Sequence, residues 1–300
     1  MINIYGIGNA LIDVEFLISE KELAEIDIPK GGMKHISSQE KDFLIQKFKD
    51  KEISRTPGGS IANSLSAAAS NGAITFFSGS IGRDKDGEEF LSSIQDLVNN
   101  NKYSSKPTGN CIILITPDGE RTMASCLGAN LDFSPEFLSI NKLKQSDFLI
   151  FDSFAIETSI RFDAVKKSIE IAIENQVEIC FGVADKSLIK PNFDKISWLL
   201  SQKVDYIYGN ELEIEELSKL FSLKDLNILT SFGKRGASIG DIQADAESIV
   251  PLNTNGAGDA LIGVFLALKD KHNKKEALQR AVNYATEICK INGPRMKNAT

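Results

Sequence analysis

The hydrophobic positions of the chain follow two rhythms. From Asp147 onward, short apolar runs alternate with stretches of helical spacing: a strand over 148–151, a helix over 160–175, a strand over 177–183, a helix over 193–202, and strands over 204–208 and 226–230. Runs such as Phe148-Leu149-Ile150-Phe151 are apolar at every position, which predicts parallel strands buried on both faces between helices. Two helices, 257–269 and 274–291, close the chain. The first half is more broken. An apolar strand over 2–7 ends in glycines, an alanine-rich helix spans Ser64 to Ser70, a strand spans Ala73 to Gly79, and a helix runs from Glu88 to Leu97. Three extended runs stand apart: one following Asp13, one from Asn110 to Thr116, and one from Thr122 to Leu127. The last two are joined by the turn signal Pro117-Asp118-Gly119-Glu120. They form either a small lid sheet, drawn from about 13–19 and 110–127, or an edge of the main sheet. The expectation is one α/β domain over residues 1–300, with a central, mostly parallel sheet between helices and a small β-sheet lid.

Composition narrows the function without naming it. Three hundred residues with a net charge of -7 argue against a general nucleic-acid binder. No segment approaches the roughly 20 apolar residues that span a bilayer, and the N-terminus reads as a strand instead of a signal peptide. Cys111, Cys126, Cys180 and Cys289 are scattered, and with only His35 and His272 available a zinc site is not expected. Scattered thiols and no targeting signal point to the cytoplasm. Gly6-Ile7-Gly8-Asn9-Ala10-Leu11 begins like a dinucleotide fingerprint, but Leu11 stands where the third glycine belongs and the following residues are extended, so a nicotinamide-dependent oxidoreductase is rejected.

The stretch with the strongest chemistry is Asn253-Thr254-Asn255-Gly256-Ala257-Gly258-Asp259, between an apolar run closed by Pro251 and a helix with Leu261, Ile262, Phe265 and Leu266 on one face. Small residues entering a helix present backbone N–H groups to one point, where the helix dipole adds positive potential. Asp259 beside such an anion site suits a proton acceptor for a hydroxyl being phosphorylated; the plain alternative is a turn and an ordinary first-turn acid. Asn9 and Asp13 lie just past a strand end, where α/β proteins place ligands. Gly58-Gly59 precedes the alanine-rich helix and would let a ligand reach the backbone, with Asn63 either a polyol contact or a cap. Asn210 and Glu213, three apart at a helix start, either hold water on Mg²⁺ or form a cap. Thr230-Ser231-Phe232-Gly233-Lys234-Arg235-Gly236 follows a strand and suits nucleotide phosphates, though a hairpin would look similar; no P-loop occurs.

In order, these stretches resemble the ribokinase-like (PfkB) family of sugar and nucleoside kinases over nearly the whole chain: Gly8-Asn9 with Asp13, Gly58-Gly59-Ser60 with Asn63, Ile81-Gly82-x-Asp84-x-x-Gly87, Asn210-x-x-Glu213, Thr230-x-x-Gly233-x-x-Gly236, and Asn255-Gly256-Ala257-Gly258-Asp259. The resemblance implies a ribokinase-like three-layer fold and ATP-dependent phosphorylation of a hydroxymethyl group. It implies Asp259 as catalytic base, an anion hole from Asn255, Gly256, Ala257 and Gly258, and acceptor contacts from Asp13, Gly59 and Asn63. It further implies ATP contacts from Thr230, Gly233, Gly236 and Asn283, and Mg²⁺ organised through water by Asn210 and Glu213. Asn253 stands where the family usually has Asp; a neutral amide holds K⁺ more weakly, so activation by a monovalent cation is in doubt. Leu127-Gly128-Ala129 and Gly293-Pro294-Arg295 resemble the adenosine-kinase-like branch, which makes the partner a small-molecule sugar or nucleoside, on a monomer or homodimer. Phe16, Phe133, Phe151 and Phe154 are candidates for an aromatic shelf under a purine. The alternative of another class is a catalytically weak sugar- or nucleoside-binding sensor of the same fold.

Overall fold

A computed structural model describes residues 1–99 and 102–296. Six parallel strands form most of the large sheet: β1 (Asn3–Ile7), β5 (Ile74–Ser78), β8 (Phe148–Asp152), β9 (Glu178–Gly182), β10 (Tyr206–Asn210) and β11 (Asn227–Ser231). The short β12 (Ala237–Ile239) and β13 (Ile242–Ala244) extend it antiparallel, giving the order β13-β12-β11-β10-β9-β8-β1-β5. The segment after β11 is thus a hairpin as well as a glycine-bearing loop.

The helices are α1 (Glu20–Ala24), α2 (Ser38–Phe48), α3 (Ser60–Ser70), α4 (Lys85–Leu91), α5 (Ile140–Lys144), α6 (Ser159–Glu174), α7 (Phe193–Leu200), α8 (Glu211–Leu220), α9 (Ala257–Leu268) and α10 (Lys274–Ile288). Alternation along the buried strands divides the core into two layers. Ile150, Cys180, Tyr206 and Tyr208 pack with α3, α9 and α10, whereas Leu149, Phe151, Ile179, Phe181 and Ile207 pack with α6, α7 and α8. The helix expected over 88–97 begins instead at Lys85, because the Asp84 carboxylate caps it by accepting from Gly87 N at 2.8 Å, and it stops at Leu91.

A second sheet stands apart from the first, in the order β3-β7-β6-β2-β4: β3 (Met33–His35), β7 (Arg121–Cys126), β6 (Gly109–Ile115), β2 (Leu11–Leu17) and β4 (Glu52–Gly58). It contains the three extended runs read from the sequence and two strands that were not. β3 is three residues long, and β4 carries Pro57, tolerated because β4 is an edge. Period-2 alternation gives this sheet two faces. Ile12, Val14, Phe16, Ile112, Leu114 and Ala124 join the core with Leu44 and Phe48 of α2. The opposite face carries the register Asp13↔Cys111↔Ser125↔His35 across the strands and looks onto the large sheet's strand ends across a cavity.

Candidate active site

Small residues bring the two central side chains together. A Cβ on Gly263 of α9 would come within 2.0 Å of Ser64 O in α3, so only glycine lets these helices cross so closely. Asn63 on α3 and Asp259 on α9 therefore meet, with Asn63 Nδ2 donating to Asp259 Oδ2 at 2.9 Å across 196 residues of sequence. Gly256 caps α9 in the left-handed region (φ 77°). A Cβ there would lie 2.6 Å from Pro294, so the loop is buttressed from behind by the C-terminal segment. Asn253 is buried, and its Oδ1 accepts from Asn255 N at 2.7 Å, which braces the same loop. At Gly258 a Cβ would meet nothing within 4 Å; the backbone there is open to a ligand.

Two cavities meet at this point. The first, about 370 Å³, is roofed by the small sheet and lined by Asn9, Asp13, Gly59, Asn63, Asp152, Asn255, Gly256 and Asp259 on its polar side. Met33, Ile113, Met123 and Leu127 from the roof, with Phe154, supply its apolar side. Of the four phenylalanines considered as a shelf, only Phe154 reaches the cavity; Phe16, Phe133 and Phe151 are buried in the core. The second, about 350 Å³, lies on the other side of the α9 N-terminus, lined by Asn210, Ser231, Gly233, Lys234, Gly236, Thr254, Ala257, Gly258 and residues of α10. A smaller space of about 220 Å³, bounded by Asn210, Glu213, Gly258 and Asp259, lies between them.

Several residues sit differently from their expected places. Asn283 is on the exposed side of α10, accepting from Gln279 at 3.0 Å, while Val282, Ala285, Thr286 and Cys289 face the second cavity. Each helical residue turns about 100°, which carries Asn283 off the face that Val282 shares. Thr230 does not line that cavity either; Ser231, pointing the opposite way along β11, does. Asn210 and Glu213 form a reciprocal capping box: Glu213 N donates to Asn210 Oδ1 at 3.0 Å, Asn210 N donates to Glu213 Oε2 at 2.8 Å, and Asn210 Nδ2 donates to Glu213 Oε1 at 2.7 Å. The cap and the functional reading thus occupy the same two side chains. Among the described residues no group of three or more His, Cys, Asp or Glu is placed to hold a metal.

The cavity concentrates acid. Asp259 keeps some access to solvent through the cavity, yet burial pushes its carboxyl up to about 7, helped by Asp13 and opposed by the Asn63 donor and Arg295. Burial likewise pushes Asp13 up to about 6, against the pull of Arg295, and Asp152 up to about 7, with the charge of Asp259 adding to the effect. Arg295 was not among the expected site residues. It reaches back from the chain end to donate from Nε to Asn63 Oδ1 at 2.8 Å and from Nη2 to Gly58 O at 2.7 Å. Buried Arg161 similarly donates to Asn9 Oδ1 at 2.5 Å. Local spacing does not mark Arg161, and Gly293-Pro294-Arg295 stands out in the sequence only by its resemblance to the adenosine-kinase-like branch, because Arg295 and Asn63 are 232 residues apart.

Two cavities that flank one helix N-terminus, with the Asp259 carboxylate on the wall of the first and of the small space that links it to the second, suit group transfer between two ligands. The class that this fold and site define is the ribokinase-like phosphotransferases with an alcohol acceptor. The chain belongs to the pfkB family carbohydrate kinases, whose model matches residues 33–299. Among its relatives, adenosine kinase 2 of Arabidopsis thaliana is 24% identical, covering 94% of this chain and 92% of its own length. The ribokinase of Bacillus subtilis (strain 168) is 24% identical over 77% of this chain and 80% of its own. The crystal structure of adenosine kinase from Sinorhizobium meliloti superposes with a TM-score of 0.89 at 23% identity, covering 98% of this chain and 96% of that one. A probable sugar kinase from Rhizobium etli CFN 42 gives 0.88 at 21% identity, over 98% and 94% of the two chains.

Proposed function

We propose that the protein transfers the γ-phosphoryl group of ATP to a hydroxymethyl group of a nucleoside, with a free sugar as the competing acceptor. The observation that carries this reading is the place of Asp259, on the wall of the acceptor cavity and at the open N-terminus of α9. Asn63 occupies Oδ2 of Asp259 and leaves Oδ1 for the acceptor hydroxyl. A carboxyl that titrates near 7 takes a proton at neutral pH without being so basic that it holds one permanently. The N–H groups of Gly256 and Gly258 would stabilise charge on the group in flight, whereas Asn255 N donates to Asn253 Oδ1 and Ala257 N to Thr254 O within the loop. The two-sided acceptor cavity supports a nucleoside: Asp13, Gly59 and Asn63 would hold the sugar, and Met33, Ile113, Met123 and Phe154 would cover the base. The adenosine kinases among the relatives lend the same support.

ATP would lie in the second cavity, where Gly233 has open space at its Cβ position and Lys234 supplies positive charge. Gly236, φ 92°, shapes that loop, and its Cβ would strike Ala244 O. Thr230 and Asn283 would contribute only indirectly. Mg²⁺ fits this donor set as an ion held mainly by phosphates and water, because Glu213 and Asn210 are engaged with each other; bound so, it neutralises charge on the phosphates. The small sheet would act as a lid that keeps water from the phosphoryl group. One experiment tests the whole reading: initial rates with ATP and Mg²⁺ against adenosine, other nucleosides, ribose and other sugars, with thermal shift in parallel. A ligand at 100 times its Kd should stabilise by about 2.7 kcal/mol. Stabilisation by a nucleoside without turnover would convert the protein into a sensor and refute the kinase.

A further inference from the structure

The guanidinium of Arg295 is committed at every nitrogen. Besides its bonds to Asn63 and Gly58, Nη1 donates to Ser93 Oγ at 2.6 Å and to Ser93 O at 3.3 Å, and the group lies 5.8 Å from the ring centre of Phe90. One side chain from the end of the chain thereby ties together α3, the segment after α4 and the last residue of β4. The consequence for Asn63 is chemical. A guanidinium has no acceptor, so the Asn63 atom facing it must be the carbonyl oxygen. The amide NH₂ is then forced to the other side, where Asp259 Oδ2 waits 2.9 Å away.

We propose that Arg295 is a positioning residue for the base: by fixing the Asn63 amide, it makes Asn63 a donor to Asp259 and keeps that carboxylate oriented and ionisable. Without Arg295 the amide is free to flip, and a flipped Asn63 would turn its oxygen on a carboxylate. The cation itself works in the same direction as the Asn63 donor, both favouring the charged form of Asp259. The other groups facing Asp259 do not replace it. Asp13 on β2, Asp152 on β8, Tyr208 on β10 and Glu213 on α8 are all acids, and Arg295 is the cation that acts on Asp259 and Asp13 together.

This proposal rests on Asp259 as the base, and its test separates the two ideas. Protein labelled with ¹³C at the aspartate carboxyls is titrated across about pH 5–9, with the Asp259 signal assigned by its loss in Asp259→Asn. In Arg295→Met the Asp259 midpoint should rise by about one unit. The acid limb of kcat/KM with ATP and adenosine should move up with it, while KM for ATP stays within about twofold. Arg295→Lys keeps the charge and loses the fork, so it should show a smaller rise in midpoint together with a clear fall in kcat. It also decides the matter should the Met variant fail to fold. A folded variant with its Asp259 midpoint and acid limb unmoved overturns the role of Arg295. Full activity in Asp259→Asn would instead overturn the base, and the titration would still report whether Arg295 governs that carboxyl.

Discussion

Replacing Asp259 by Asn should separate activity from stability in opposite directions. The two side chains have the same shape, and Asn63 still donates to whichever atom takes the Oδ2 position. That atom must be the amide oxygen, so the new NH₂ falls where an acceptor hydroxyl would give up its proton. A donor then meets a donor and no base remains. Loss of a general base costs about 10²–10⁴ in kcat, or roughly 3–5 kcal/mol of barrier. Stability should move the other way. The Asp259 carboxyl is raised from 3.8 to about 7 in the folded chain, chiefly by burial, so the folded state holds its proton more tightly than the unfolded one. Its ionisation thus costs stability progressively as pH climbs from near 4 through 7, and the cost is fully present above 7. Asn carries no such cost. With solvent access through the cavity reducing it, the gain at pH 8 is about 1–2 kcal/mol, a Tm rise of a few degrees that vanishes near pH 4. Initial rates against ATP and adenosine, and melting curves at the two pH values, measure both. A mutant with half the wild-type kcat sinks the assignment, and a mutant that is inactive but also less stable at pH 8 sinks the electrostatic account.

Substitutions at Gly256 and Gly258, in the stretch before Asp259, should fail for different reasons. Gly256→Ala meets Pro294 and a positive φ, so it should lose about 1–3 kcal/mol in thermal or urea denaturation. Gly258→Ala has room in the empty protein, so it should melt normally yet lose activity by blocking phosphate approach; normal activity would place the phosphoryl group elsewhere. Asn283→Ala, altering an exposed side chain, should leave KM for ATP within about twofold, measured by initial rates. Because Asn253 offers an amide already bonded to Asn255 N, exchanging KCl for tetramethylammonium chloride at constant ionic strength should barely change the rate. A rise of about tenfold with K⁺, roughly 1.4 kcal/mol in the barrier, would show that a carboxylate there is dispensable.

Much of the architecture is local information. Continuous apolar runs such as Phe148 to Phe151 can be buried only between two helical layers, and the spacing in 257–269 and 274–291 has one dominant reading. The glycines before Asp259 likewise mark a loop that needs residues without side chains, Gly256 for its positive φ and close approach to Pro294 and Gly258 for an open backbone. Short or edge elements were not legible: Met33–His35 is too brief to show a period, and Pro57 argues locally against the strand that tertiary pairing permits. The apolar spacing of Leu278, Ala281, Val282 and Ala285 marks the inward face of α10, but only the fold shows that the second cavity lies against that face, which leaves Asn283 out and admits Thr286. The deepest gap concerns Arg295. As sequence it is one residue after a Gly-Pro stop; only the folded chain brings it to Asn63, where burial makes each hydrogen bond matter and a donor-only group dictates how the neighbouring amide must point.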